Sequence, residues 1–333
     1  VVVENGMGPR RIASRLAETG VIAHPDAFVI AVRVMGMDST LKAGEYAFEP
    51  GISLRAVVNK LAIGDAQNRS VTIPEGWTVK QALARLDAAE GLTGKVSRPE
   101  EGRIFPDTYA FRMGVDRTKL IETMTKRMDD ELAKAWAVRD VTLPLKTPDD
   151  MLILASIVQR EAANEAEMPM VAAVFVNRLR TGMRLQSDPT VMYGADVLSE
   201  GRLKRKDLTE AHPFNTYIHA GLPPTPIANP GRAALMAVAQ PAQTKAIFFV
   251  ADPSLTMHVF SETYDEHVKN VKRYWKDVGK TIAAGRAAAA AVSASEAGSV
   301  DSAVAGGRGP GVSATNPMIG AGAGAPNAVS GTH

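Results

Sequence analysis

Thr147-Pro148-Asp149-Asp150-Met151-Leu152-Ile153-Leu154-Ala155-Ser156-Ile157-Val158-Gln159-Arg160-Glu161-Ala162 contains a full helix start and an acid where an apolar residue would be expected. Thr147 can cap, Pro148 suits the first helical position, and Asp150 completes a capping box at the positive end of the helix dipole. Leu154, Ile157, Val158 and Glu161 recur at spacings of three and four, so they share one face. An ionised Glu is almost never fully buried unless paired. Burial disfavours its charge and raises its pKa, which is what a general acid near neutral pH needs. The same position also allows a plain structural role, with Glu161 paired to Arg160 or Arg178.

Downstream, Val171 to Leu179 reads as a second apolar helix ending in the polar pair Asn177-Arg178. After a turn at Gly182 comes Met183-Arg184-Leu185-Gln186-Ser187-Asp188-Pro189-Thr190-Val191-Met192-Tyr193-Gly194, dense in hydrogen-bonding and aromatic side chains that suit a polyol. A third cluster, Phe214-Asn215-Thr216-Tyr217-Ile218-His219-Ala220-Gly221-Leu222-Pro223-Pro224, opens a long proline-rich loop of a kind that is usually functional.

Upstream, the pattern is α+β. A strand, a turn ending in Gly6 and a helix through Ile12, Leu16 and Val21 are echoed 70 positions later by Val71, Gly76, Val79, Leu83 and Leu86. Val1, Gly6, Arg15 and Leu16 match Val71, Gly76, Arg85 and Leu86. Between the copies lie a helix expected over Asp26 to Met37, a strand over Glu45 to Phe48 and a helix over Leu54 to Leu61. Strand, helix, helix, strand is the order of a small LysM-like module, and also of a generic α+β packing domain. A charged helix is expected from Arg117 to Trp136. From Thr281 onward Ala, Gly and Ser dominate, and such a segment cannot offset its ordering entropy. The expected division is a LysM-like module over residues 1–68, an intermediate segment over 69–146, a mixed α/β catalytic domain over 147–280 and a disordered tail over 281–333.

Composition narrows the chemistry. The 333 residues carry 38 Lys and Arg against 36 Asp and Glu, a net charge of +2 without the basic excess of a nucleic-acid binder. The absence of cysteine excludes thiol nucleophiles, disulfides and iron–sulfur clusters. His212 and His219, like His258 and His267, miss the helical spacing of zincins, so no metal and no cofactor is expected. Ser156 lacks the Gly-x-Ser-x-Gly elbow of a nucleophile. No apolar run approaches the roughly 18 residues that cross a bilayer.

Several strings together resemble the endolytic murein transglycosylase (YceG-like) family, over about Val71 to Tyr274. They are Glu101-Gly102 with Phe105-Pro106-Asp107-Thr108-Tyr109; Ala155-Ser156-Ile157-Val158 with Glu161; Val176-Asn177-Arg178-Leu179; Met183 to Val191; Asn215-Thr216-Tyr217 with Gly221-Leu222-Pro223-Pro224; and Phe249-Val250-Ala251-Asp252. The family carries an acidic-x-glutamate stretch after Ala-Ser-Ile-Val. Here it reads Gln159-Arg160-Glu161, so only the second acid matches, and the resemblance assigns Glu161 as catalytic. It implies cleavage of the MurNAc–GlcNAc β-1,4 bond in nascent glycan strands, with 1,6-anhydro-muramyl ends. It further implies a single-pass inner-membrane protein working at the periplasmic face, with Val1 just beyond a removed anchor. Glycan strands and peptidoglycan synthases are the implied partners. Asn177, Arg178, Gln186, Asp188, Tyr193, Asn215 and Tyr217 are expected to bind the sugars.

Two other functions remain open to the residues alone: a non-catalytic peptidoglycan-binding scaffold, and a hydrolase with two carboxylates across the bond. For the latter Asp107, Glu165, Glu167 and Asp188 are available, although Asp188, before Pro189, sits where Asp most often bonds its own backbone. Truncation after Lys280 is expected to leave activity and melting temperature unchanged in a thermal-shift comparison, because the tail has almost nothing apolar to bury.

Overall fold

A computed structural model describes residues 1–196, 203, 206–252 and 257–279. The tail expected over 281–333 lies outside the described residues. The fold is mixed α/β, with helices and small two-stranded sheets, and divides into two compact units.

The first unit comprises residues 1–133 and 228–231. β1 (Val2–Val3), α1 (Pro9–Glu18), α2 (Pro25–Val34), β2 (Gly44–Glu45) and α3 (Leu54–Ile63) surround one core of Val3, Ile12, Leu16, Phe28, Val32, Tyr46, Val58 and Leu61. β1 and β2 pair antiparallel. β3 (Arg69–Thr72), α4 (Val79–Asp87), β4 (Leu92–Thr93), β5 (Thr108–Phe111), β6 (Val115–Asp116) and the start of α5 (Arg117–Ala137) enclose a second core around Ile73, Val79, Leu86, Ile104 and Met124. β3 and β5 pair antiparallel, β4 and β6 parallel.

The echo at 70 residues is a real repeat of form. β1–α1 and β3–α4 are each a strand, a turn and a helix, and both turns pass through a left-handed glycine, Gly6 at φ 81° and Gly76 at φ 74°. A residue with a Cβ would be strained at either position. Leu16 and Leu86, the matched helix positions, are both fully buried. Asn229 belongs to this unit and is satisfied on all sides: its N–H and Nδ2 donate to Trp77 O, its Oδ1 accepts from Ile104 N–H, and its O accepts from Gly76 N–H.

Two boundaries differ from the sequence reading. The helix expected over Asp26–Met37 stops at Val34, because Gly36 turns left-handed and Met37 N–H closes back on Val32 O. The strand expected over Glu45–Phe48 is the two residues Gly44–Glu45; the Tyr46 ring turns into the core, and its hydroxyl donates to Lys42 O.

The second unit, Lys134–Ile227 and Arg232 onward, is built on helices. α6 (Pro148–Glu161) packs on α7 (Met168–Arg180) and α9 (Arg232–Ala239), and also touches α8 (Asp188–Gly194). Beyond them β7 (Phe248–Asp252) pairs antiparallel with β8 (Met257–Ser261), and α10 covers 264–279. The Thr147–Asp150 capping box forms, with Pro148 in the first turn. The expected apolar stripe on α6 is wider than the sequence suggested. Every residue from Met151 to Val158 is buried, so α6 is a central helix and not a surface one. Ser156 serves that burial: its hydroxyl donates to Ile153 O and accepts from Ile227 N–H.

Phe175 on α7 is fully buried and meets Phe249 of β7 edge to face at 5.9 Å between ring centres. Phe175→Ala should cost about 3–5 kcal/mol in a denaturant titration. A loss under about 1 kcal/mol would mean that this core is not packed as described.

Candidate active site

α6 ends on Glu161. Ala162 is already extended, at φ −68° and ψ 134°. The carboxyl group therefore lies at the negative end of the α6 dipole, which disfavours its charge. Glu161 is 9% exposed, and its pKa is pushed up to about 8. Burial is the largest cause and the neighbouring Asp188 carboxylate the next; a hydrogen bond from Ser187 and the charges of Arg178 and Arg160 oppose them. At neutral pH Glu161 is thus mainly a neutral acid.

The partner of Glu161 comes from the turn into α8. Ser187 Oγ donates to Glu161 Oε1 at 2.6 Å. Ser187 is fully buried, and its own backbone is bound on both sides. Its N–H donates to Thr216 Oγ1 at 2.9 Å, and its O accepts from Thr190 Oγ1 at 2.7 Å. The two threonine hydroxyls meet at 2.9 Å. The preceding residue, Gln186, has φ 50° and gives its N–H to Thr216 O. A non-glycine residue in that conformation carries strain, and strain of this kind persists only where the surroundings over-determine it.

Arg178 is fully buried near this carboxyl. Its Nε donates to Ile247 O at 2.7 Å and its Nη1 to Leu185 O, while its guanidinium lies 5.9 Å from the ring centres of both Phe248 and Phe249. Burial lowers its pKa to about 10, against the pull of Glu161, so it stays charged at neutral pH. Asp188 accepts a 2.5 Å hydrogen bond from Tyr217 Oη instead of bonding its own backbone as its place before Pro189 suggested. Burial raises the pKa of both partners, and Tyr217 is raised further by the Asp188 charge.

Arg178, Asp188 and Tyr217 thus lie within electrostatic reach of Glu161. The amides of Asn177 and Asn215 serve the backbone. Asn177 Nδ2 donates to Thr244 O and Ala246 O, and Asn215 Nδ2 to the carbonyls of Asp207, Leu208 and Glu210. The Tyr193 ring packs on Phe214 at 4.9 Å. The Gln186 side chain is half-buried. The sequence alone assigns no role to Ser187, Thr190 or Thr216. A signal is present for Ser187 and Thr190, which fall inside the Met183–Gly194 string dense in hydrogen-bonding side chains, and Thr216 lies in the proline-rich loop cluster.

Two of the other candidate carboxylates have partners of their own. Glu167 is buried and takes hydrogen bonds from His258 N–H and Ala163 N–H, with His258 Nδ1 at 3.0 Å. Glu165 is exposed in a short 3₁₀ turn after α6 has ended, and Asp107, in the first unit, pairs with Arg127 at 2.6 Å. Among the described residues no group of three or more His, Cys, Asp or Glu could hold a metal ion.

The YceG-like family model matches residues 1–273. The chain belongs to the YceG-like family. An endolytic murein transglycosylase of Bacillus subtilis is 30% identical over 82% of this chain and 83% of its own length. One of Streptococcus pneumoniae is 24% identical over 82% of this chain and 58% of its own length. A crystal structure of a YceG-like protein from Listeria monocytogenes superposes with a TM-score of 0.53 at 29% identity, covering 81% of this chain and 97% of that one.

For this YceG-like chain the raised pKa of Glu161 has a stability consequence. The folded state holds the proton more tightly than the unfolded chain does, so the associated stability is complete below about 4.5 and is lost as pH rises through about 8. Gln cannot ionise. The denaturation midpoint of Glu161→Gln, relative to the parent, should therefore rise steadily across that window. A pH-independent difference would mean that Glu161 is not held neutral.

Proposed function

We propose that this protein is an endolytic murein transglycosylase in which Glu161 acts first as acid and then as base. The observation that carries the reading is a neutral carboxyl group, buried at the end of α6 and hydrogen-bonded by Ser187. The relatives named endolytic murein transglycosylase supply the reaction class.

The chemistry needs one such group. Glu161 gives its proton to the glycosidic oxygen as the C1–O4 bond between MurNAc and GlcNAc breaks. The resulting carboxylate takes the proton of the muramyl C6 hydroxyl, whose oxygen closes on C1. The product is a 1,6-anhydro-muramyl end, and Glu161 is protonated again. Arg178, one of the expected sugar-binding residues, is fully buried and bound to two backbone carbonyls, which supports a positioning role. Gln186, Asp188, Tyr193 and Tyr217 line the approach in this reading, and Asn177 and Asn215 hold the loops that carry them.

A hydrolase built on Asp188 as the second carboxylate is the alternative favoured by its nearness to Glu161. Asp188 is half-buried and its Oδ1 is taken by the hydrogen bond from Tyr217; both argue against it, because a base or nucleophile across the sugar must be open to it.

Residues 1–68 serve as a LysM-like glycan-binding module in this proposal. The order β1–α1–α2–β2 with antiparallel pairing of the two strands supports that reading. Residues 147–280 then form the catalytic domain; of the intermediate segment, 69–133 fall in the first compact unit and 134–146 in the second. The site of action is the cell wall outside the cytoplasmic membrane. No helix among the described residues is long and apolar enough to cross a membrane, so an anchor is a separate proposal.

Glu161→Gln keeps the shape and removes the transferable proton. Cleavage of purified glycan strands should fall by about 10²–10⁴-fold or more. Retained cleavage would end the assignment, and would leave the scaffold reading excluded as well.

A further inference from the structure

We propose that Ser187 is a positioning residue that keeps the transferable proton of Glu161 on Oε2, for both the acid and the base step. The inference deepens the reading of Glu161 as the acid and rests on it.

Backbone N–H can only donate and backbone C=O can only accept. Ser187 N–H therefore donates to Thr216 Oγ1, and Thr190 Oγ1 donates to Ser187 O. The Thr190 hydroxyl proton is then in use, so in the 2.9 Å contact between the two threonines Thr216 is the donor. Three hydrogen bonds close a ring through the Ser187 backbone: N–H to Thr216, Thr216 to Thr190, Thr190 to O. The ring fixes Ser187 without using its side chain.

The Ser187 hydroxyl is fully buried, and Glu161 Oε1 is its one partner among the described residues. If Glu161 Oε1 carried the acid proton, it would have to donate to Ser187 Oγ, and the Ser187 proton would be left buried without an acceptor. A buried donor without an acceptor is unfavourable. Ser187 therefore donates, Oε1 accepts, and the acid proton resides on Oε2. Among the described residues Oε2 has no hydrogen bond, which leaves it for the substrate.

The same bond serves the second step. When Oε2–H has given its proton to the leaving oxygen, Ser187 still holds Oε1, so the carboxylate cannot rotate and Oε2 receives the C6 hydroxyl proton. The other groups facing Glu161 are Asp188, Arg178, Arg160 and Tyr217. None of them replaces a hydrogen bond at Oε1 among the described residues.

Infrared difference spectroscopy tests this on the intact protein. The spectrum of the parent minus that of Glu161→Gln, taken across the titration of Glu161, isolates the neutral carboxyl group. The C=O stretch should sit at the lowered frequency of a carbonyl that accepts a strong hydrogen bond, because Oε1 is that carbonyl. In Ser187→Ala it should move up to the frequency of a free carbonyl, the pKa of Glu161 should rise, and kcat should fall about tenfold with KM little changed. Ser187→Thr, which keeps the hydroxyl, should restore both the frequency and the pH profile. A free carbonyl frequency in the parent protein would overturn the proposal, whether or not Ser187→Ala folds. So would an unchanged Glu161 titration in folded Ser187→Ala. Loss of cleavage in Glu161→Gln is a separate readout, so failure of the proton placement is distinguishable from failure of the lyase reading.

Discussion

A carboxyl group buried at the C-terminal end of a helix has two ways to exist: ionised against a closely bonded cation, or neutral. Glu161 is in the second state. The guanidinium of Arg178 is near, but its Nε and Nη1 are turned to the carbonyls of Ile247 and Leu185, and Asp188 adds a second negative charge to the neighbourhood. A hydroxyl, not a cation, bonds the acid. The surroundings follow from that constraint. α6 is buried from Met151 to Val158 and carries its last residue, Glu161, into the interior. The turn at Gln186-Ser187 is strained in φ because it must bring a hydroxyl to Oε1, and the two threonines hold it there.

Arg178 contributes in two ways. Its charge lowers the pKa of Glu161, adding to the larger effect of the Ser187 hydrogen bond and partly offsetting burial. A general acid is most effective when its pKa lies near the working pH. Its bond to Leu185 O also anchors the chain two residues before Ser187. Charge and anchorage thus come from one side chain, and the Asp188–Tyr217 pair tunes the site from the other direction.

Local features were legible in the sequence. The Thr147–Asp150 box, Pro148 and the spacing of Leu154, Ile157, Val158 and Glu161 are short-range properties, and they gave α6 and its acid. The glycines at 6 and 76 gave the two strand–turn–helix units for the same reason. Ser187 is not legible as the partner of Glu161, because that contact joins residues 26 apart and depends on how α8 approaches α6. The sequence points Asn177 and Asn215 toward sugar, since a polar amide looks the same in sequence whether it meets a ligand or a backbone carbonyl. Tertiary structure sets their partners: Thr244 and Ala246 for one, the 207–210 turn for the other. The place of Asp188 before Pro189 points it back on its own turn, and its bond from Tyr217 instead is again a contact across 29 residues.

In the proposed mechanism one carboxyl group, neutral and then charged, cleaves the glycan without water as nucleophile. Digestion of purified glycan strands in oxygen-18 water, followed by mass analysis of the new muramyl ends, measures this directly. A single-carboxyl lyase gives 1,6-anhydro ends that are lighter than hydrolysis products by one water and carry no label. Reducing muramyl ends containing oxygen-18 would contradict it and would require a second carboxylate, with Asp188 the first to test.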